Sequence, residues 1–127
     1  MKPLLSICIP TYNRAWCIEK QIIQFKQYPQ DIWDKIELVI SDNCSTDNTK
    51  EIVEKAMMEG FSCRYIRNKT NLGMDGNFSQ CYQMAKGNYV WLLGDDDFIA
   101  NGGLYKVLNF ISNSKQEIGI IHNIPNN

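Results

Sequence analysis

Three consecutive carboxylates, Asp95-Asp96-Asp97, follow the most apolar run of the chain, Tyr89 to Leu93, with only Gly94 between. Acids this close repel one another, so they hold protons more tightly or take a cation between them. Oxygen donors without His or Cys beside them select Mg²⁺ or Mn²⁺ over zinc, and Mg²⁺ usually takes one or two carboxylates and completes its shell with substrate phosphate oxygens. The spacing therefore points to a metal–diphosphate site. The plainer alternative is an acidic helix cap, favoured by the dipole, but one cap needs one acid and not three. Asp42 closes another apolar run, Ile36 to Ile40. An acid there accepts hydrogen bonds from a nucleobase N–H or ribose hydroxyls, and an Asx turn or an N-cap for a helix at Thr46 fits it equally well. Tyr12 offers a ring to stack on a base or simply to pack. Arg14 is a phosphate partner or a solvated cation, and His122, beside the last apolar run, reads as structural.

The elements that position these residues follow from periodicity. Leu4 to Ile9 is a nearly continuous apolar run that Pro10 is expected to end, as in a buried parallel strand. Asn13 then serves as N-cap for a helix with Ile18, Ile22 and Phe25 at i, i+4 and i+7, closing before Pro29. Ile36 to Ile40 is a second strand, and the polar loop Ser41 to Asp47 starts a helix running to about Glu59, burying Ile52, Val53, Ala56 and Met57 before Gly60. Cys63 to Arg67 reads as a third strand. A long connection from Asn68 to Gly76 leads to a helix using Phe78, Cys81, Tyr82 and Ala85, stopped by Gly87. Tyr89 to Leu93 is the fourth strand. Leu104, Val107, Leu108 and Ile111 mark another helix, and Ile118 to Ile121 a fifth strand. This alternation predicts an α/β fold, a Rossmann-like, mainly parallel sheet with helices on both faces, in a single domain over residues 1–127. Ligands in such sheets bind outside the carboxyl ends of the strands, where strand order reverses. That rule gathers residues 10–14, 41–43 and 95–97 on one edge. Neither G-x-G-x-x-G nor a P-loop follows the first strand, so a nicotinamide Rossmann site and a P-loop NTPase are excluded.

Composition narrows the class further. The 127 residues are 44% hydrophobic and 21% charged, as in a globular domain that buries a core. A net charge of −1 gives no global field to hold nucleic acid or an anionic membrane. Cys8, Cys17, Cys44, Cys63 and Cys81 are widely spaced, without a C-x-x-C pair, and read as thiols in a reducing cytosol. No apolar run reaches the roughly 20 residues of a membrane span, and Met1-Lys2-Pro3 leads straight into a strand, so neither a transmembrane segment nor a signal peptide is expected.

The segments Ser6 to Arg14, Leu38 to Asp47, Asn71-Leu72-Gly73 and Trp91 to Asp97 resemble, in order and spacing, the inverting family-2 glycosyltransferases of GT-A fold. The match covers nearly the whole chain and corresponds to the amino-terminal, nucleotide-binding part of that family's catalytic domain. The resemblance implies a nucleotide-diphosphate sugar donor, with a UDP-sugar as first choice. It places Pro10, Thr11 and Tyr12 along the nucleoside and Asp42 on the base. Arg14, Asn71, Gly73 and Asp95 complete the nucleotide contacts, while Asp96 and Asp97 hold Mg²⁺ or Mn²⁺ as the D-x-D motif. Gly94 stands where many members carry the first aspartate, and Gly-Asp-Asp-Asp is similar to the branch that includes abequosyltransferase-like enzymes of surface polysaccharide assembly.

The implied partners are a nucleotide-sugar donor and a saccharide or lipid-linked saccharide acceptor, at a cytoplasmic location peripheral to the inner face of the membrane. The family's catalytic base and acceptor segments lie downstream of the D-x-D motif, and within Phe98 to Asn127 the sole acid is Glu117. The isolated chain is therefore expected to bind donor without transferring sugar, and its shortened sheet to invite self-association. A catalytically silent nucleotide-binding or partner module is the rival from another class. A phosphoacceptor domain would need acids after the first strand, where Thr11 and Tyr12 stand.

Overall fold

In the computed structural model, which describes residues 2–113 and 119–121, the apolar runs become strands β1 (Leu5–Thr11), β2 (Ile36–Asp42), β3 (Arg64–Arg67), β4 (Tyr89–Leu92) and β5 (Gly119–Ile121). Between them lie helices α1 (Ala15–Lys26), α2 (Gln30–Trp33), α3 (Thr49–Met58), α4 (Gly73–Met84) and α5 (Gly103–Ser112). The strands form one sheet in the order β3-β2-β1-β4-β5, every pair parallel, as the alternating pattern predicts. Strand order reverses between β1 and β4, so the loops leaving these neighbours part and open a crevice at their carboxyl ends.

Helices α1, α3 and α5 bury Ile18, Ile22, Phe25, Val53, Ala56, Leu104, Val107, Leu108 and Ile111 against Leu5, Ile7, Ile9, Leu38, Ile40 and Trp91 on one face of the sheet. α4 packs on the opposite face, where Cys81 meets Cys8 and Val39. A smaller core lies there.

Several local expectations change. Pro10 does not end β1, which continues to Thr11, because the last β1–β4 pair is Cys8 with Leu92 and the missing N–H breaks no ladder bond beyond it. Asn13 is not the N-cap of α1. It adopts φ 51°, and the flanking position belongs to Arg14, which makes no side-chain cap. The α3 helix starts at Thr49 rather than Thr46, and Met57 stands 41% exposed instead of buried. α4 begins already at Gly73, and it buries Asn77 and Cys81 while Tyr82 remains on the surface. Gly60 does stop its helix, at φ 100°.

Two carboxylates tie the scaffold. At the amino end of the sheet, Glu37 accepts hydrogen bonds from the Ser6 hydroxyl, Arg64 Nη1 and the Lys86 N–H, joining β2 to β1, β3 and the α4–β4 connection. At the carboxyl end, Asp47 accepts the Ala15 N–H on one oxygen and the Thr49 N–H and hydroxyl on the other. It thus caps α1 from a neighbouring loop and α3 from its own. In both groups burial works to raise the pKa, yet the hydrogen bonds overcome it and hold the carboxyl below its ordinary range.

Because these native pKa values are lowered, the stability they contribute is complete above about pH 4 and is lost as pH falls through the lowered values. Asp47→Ala is expected to reduce the unfolding free energy at pH 7 by about 1–2 kcal/mol, and to make the loss below pH 4 shallower than in the parent protein. Urea titrations across pH 2–7 measure both, and an unchanged acid limb would show that Asp47 caps nothing.

Candidate functional site

The crevice between β1 and β4 is closed at its floor by Thr11, whose buried hydroxyl donates to Asp95 Oδ2 at 2.9 Å. Arg14 lies above, with Nη1 3.2 Å from Asp95 Oδ1 and Nη2 3.4 Å from Asp96 Oδ2, and its guanidinium is 5.9 Å from the centroid of the Trp16 ring. Burial raises the Asp95 pKa, and the Thr11 hydroxyl and Arg14 charge offset only part of that. Asp95 in turn holds the Arg14 proton more tightly. Part of the cation that the acidic run requires is therefore the chain's own guanidinium, and Arg14 is paired rather than merely solvated.

The three acids take different directions. Among the described residues no group of three His, Cys, Asp or Glu gathers into a metal cluster. Asp95 turns inward, whereas Asp96 and Asp97 lean over the backbone of Gly94. The Asp97 N–H donates to the Gly94 carbonyl at 3.0 Å, closing the turn. A Cβ added at Gly94 would stand 2.6 Å from Asp97 Oδ2 and 3.4 Å from Asp96 Oδ1. Glycine leaves a small hollow under the two carboxylates, which a larger residue would enter only by turning the Asp97 side chain aside. Two hard oxygen donors facing one space fit a Mg²⁺ or Mn²⁺ ion that draws its remaining ligands from water and phosphate.

The loops after β1 and β2 are locked together. Asn13 Oδ1 accepts the N–H groups of Thr46 and Asp47, and the Asn13 N–H donates to Ser45 Oγ at 2.8 Å. Asp42 is fully buried. Its Oδ1 accepts the Ser45 N–H and hydroxyl, and its Oδ2 the Tyr65 hydroxyl. Asp42 thus closes its own loop through Ser45 and ties it to β3 through Tyr65, the scaffold role that stood beside the base contact in the sequence. Burial, then the bond to Asp42, pushes the Tyr65 phenol up. Thr11 is likewise buried, bonded to Asp95 at the floor of the crevice. Pro10 is half-buried in β1, and Tyr12 stands 43% exposed at its mouth.

Asn71 and Gly73 meet the site through Asn43, which the sequence did not single out. The Asn43 amide donates to Asn71 Oδ1 and the Gly73 carbonyl, and its oxygen accepts Asn68 Nδ2 and the Leu72 N–H. Asn77, buried on α4, continues the network to Ser41. A second unforeseen group is Gln21, buried on α1 against the acidic turn. Its signal was present: it falls at i+3 from Ile18, where the helical stripe calls for an apolar residue. Glu117 and His122 lie outside the described residues. Among those described, no helix is long and apolar enough to cross a membrane.

Residues 6–126 match the family model described as glycosyl transferase family 2. The chain is 40% identical over 102 residues to abequosyltransferase RfbV of Salmonella typhimurium, covering 80% of this chain and 30% of that protein. It is 34% identical over 103 residues to the GalNAc(5)-diNAcBac-PP-undecaprenol beta-1,3-glucosyltransferase of Campylobacter jejuni, covering 80% and 32% respectively. Among solved structures, S. aureus TarS (residues 1–349) in complex with UDP superposes with a TM-score of 0.70 at 28% identity, over 86% of this chain and 32% of that one. The mannosyltransferase PcManGT from Pyrobaculum calidifontis, in complex with GDP-Man and Mn²⁺, shares the fold with a TM-score of 0.73 at 23% identity, over 89% and 33%. The chain spans about a third of the length of these relatives.

Removing the Asp42 carboxylate leaves the buried Ser45 N–H and the Tyr65 hydroxyl without their acceptor. Asp42→Ala is expected to cost about 1–3 kcal/mol of unfolding free energy. Tyr65→Phe should cost less and, combined with Asp42→Ala, add little. Urea unfolding of the single and double variants measures the coupling, and strict additivity would show that the two groups do not act as a pair.

Proposed function

This chain belongs to glycosyl transferase family 2, and from that premise we propose that it is the donor-binding part of a GT-A glycosyltransferase, taking a nucleotide-diphosphate sugar with a divalent metal for transfer to a saccharide acceptor. The observation that carries this is the hollow over Gly94, where Asp96 and Asp97 face one space beside the Arg14 guanidinium at the strand-order reversal. UDP is the first choice of nucleotide, in keeping with the UDP bound to TarS. The acceptor class, a surface polysaccharide intermediate on a lipid carrier at the inner face of the membrane, is in keeping with the undecaprenol-linked substrate in the name of the Campylobacter relative.

Each residue then has a task that follows from its position. Pro10 and Tyr12 form a rim against which the nucleoside lies, Tyr12 presenting its exposed ring to the base. Asn71 and Gly73, fixed by Asn43, close the opposite side. Arg14 is the cation that changes partner. Asp95 and Asp96 hold its planar guanidinium until a diphosphate offers a bidentate partner of higher charge, and Asp95 keeps it oriented from below. Asp96 and Asp97 are the carboxylates that would hold Mg²⁺ or Mn²⁺. Such an ion, when bound, offsets the charge that builds on the departing diphosphate. Asp42 and Asp47 are engaged by the scaffold, so the general base for the acceptor hydroxyl belongs to a part of the enzyme beyond the described residues.

The test is thermal unfolding with UDP in Mn²⁺ and in EDTA. At a hundredfold excess over Kd, UDP should stabilise the protein by about 2.7 kcal/mol in Mn²⁺, and clearly less in EDTA. Asp97→Asn should remove most of the difference. Equal stabilisation under both conditions would defeat the metal assignment, and none under either would defeat the nucleotide assignment.

A further inference from the structure

Gln21 has no surface to serve. Its side chain is fully buried at 0% exposure in the stripe of α1 that otherwise carries Ile18, Ile22 and Phe25. Its Nε2 donates to the Asp97 carbonyl at 2.6 Å and the Asp95 carbonyl at 3.0 Å, with the Gly94 carbonyl at 3.5 Å. Its Oε1 accepts Gln24 Nε2 at 2.7 Å, and Gln24 Oε1 accepts the Ile99 N–H at 2.8 Å. The acidic turn is thus fastened to α1 at both ends. An apolar residue at position 21 would fill the space but leave the inner carbonyls without a donor, and the turn would rotate outward to find water.

We propose that Gln21 is a positioning residue for the acidic turn: by binding the carbonyls of Asp95 and Asp97 it holds the carboxylates of Asp96 and Asp97 where a divalent ion and a diphosphate share them. The proposal rests on the donor-binding role assigned above. Backbone groups that orient ligating carboxylates act as an outer shell, and their loss lowers metal affinity while leaving the ligands in place. Glutamate at 21 has the shape of glutamine but turns an oxygen, with no N–H, toward the same carbonyls. Methionine keeps the volume without either effect.

Isothermal titration of UDP in MnCl₂ and in EDTA, and of uridine in EDTA, distinguishes the outcomes for the parent protein, Gln21→Glu and Gln21→Met. Near-UV circular dichroism reports whether each is folded. In both variants the Mn²⁺-dependent gain in UDP affinity is expected to fall about 10–100-fold, while uridine affinity stays within experimental error. A folded variant that keeps the full gain overturns the role of Gln21 and leaves the metal assignment standing. A parent protein with no Mn²⁺-dependent gain overturns both. Should neither variant fold, Gln24→Ala carries the same test, because it removes both the donor that orients the Gln21 amide and the acceptor of the Ile99 N–H while leaving residues 94–97 and Gln21 in place.

Discussion

Where parallel strands stop, their last backbone groups lose the ladder that paired them, and the loops beyond must find other partners in a crowded space. Here side-chain amides and carboxylates of adjoining loops meet that demand. Asn13 serves Thr46 and Asp47, Ser45 serves Asn13, Asp47 serves Ala15 and Thr49, and Asn43 serves Leu72. Each bond joins segments distant in sequence, except that of Asp47 to Thr49. The groups that still face the crevice, Tyr12, Arg14 and Asp96, are those this pairing leaves over. The shape of the site is in that sense a remainder of backbone satisfaction.

Electrostatics follows from the same arrangement. A run of acids at the end of a buried strand would be self-repelling, and the chain supplies its own counter-cation in Arg14. Asp95 is the buried member, anchored by Thr11 from below, so the guanidinium is held at a fixed point while its outer half remains exposed. In the proposed donor-binding role, such a site would exchange one cation–anion pairing for another without exposing naked charge in between.

The parallel strands and the edge where their loops gather were legible because uninterrupted apolar runs and turn residues leave little choice, whereas the strand order was not. Nor was α2, since four residues carry no period. The start of α4 was hidden because Gly73 and Gly76 read as loop and its inward positions are Asn77 and Cys81 rather than large apolar groups. The acidic turn could be located, but not the separate directions its carboxylates take, which depend on Thr11 at the end of β1 and Arg14 at the start of α1. Asp42 had two equal readings, and the partner that draws it into the scaffold, Tyr65, stands on a neighbouring strand where local pattern could not find it. Local pattern names candidates well. It cannot say which are consumed by partners far along the chain.

Glu37 gives the molecule a second polar hub at the opposite end of the same strands, built from Ser6, Arg64 and Lys86. The two hubs are separated by the length of β2, so changes at one are insulated from the geometry of the other. Variation near Glu37 is thereby felt as persistence of the fold alone, whereas beyond Asp42 single residues such as Asp47 serve both the helices and the edge where loops converge. For a domain whose relatives are named for different sugars, the amino-end hub is the place where durability can drift without disturbing that edge.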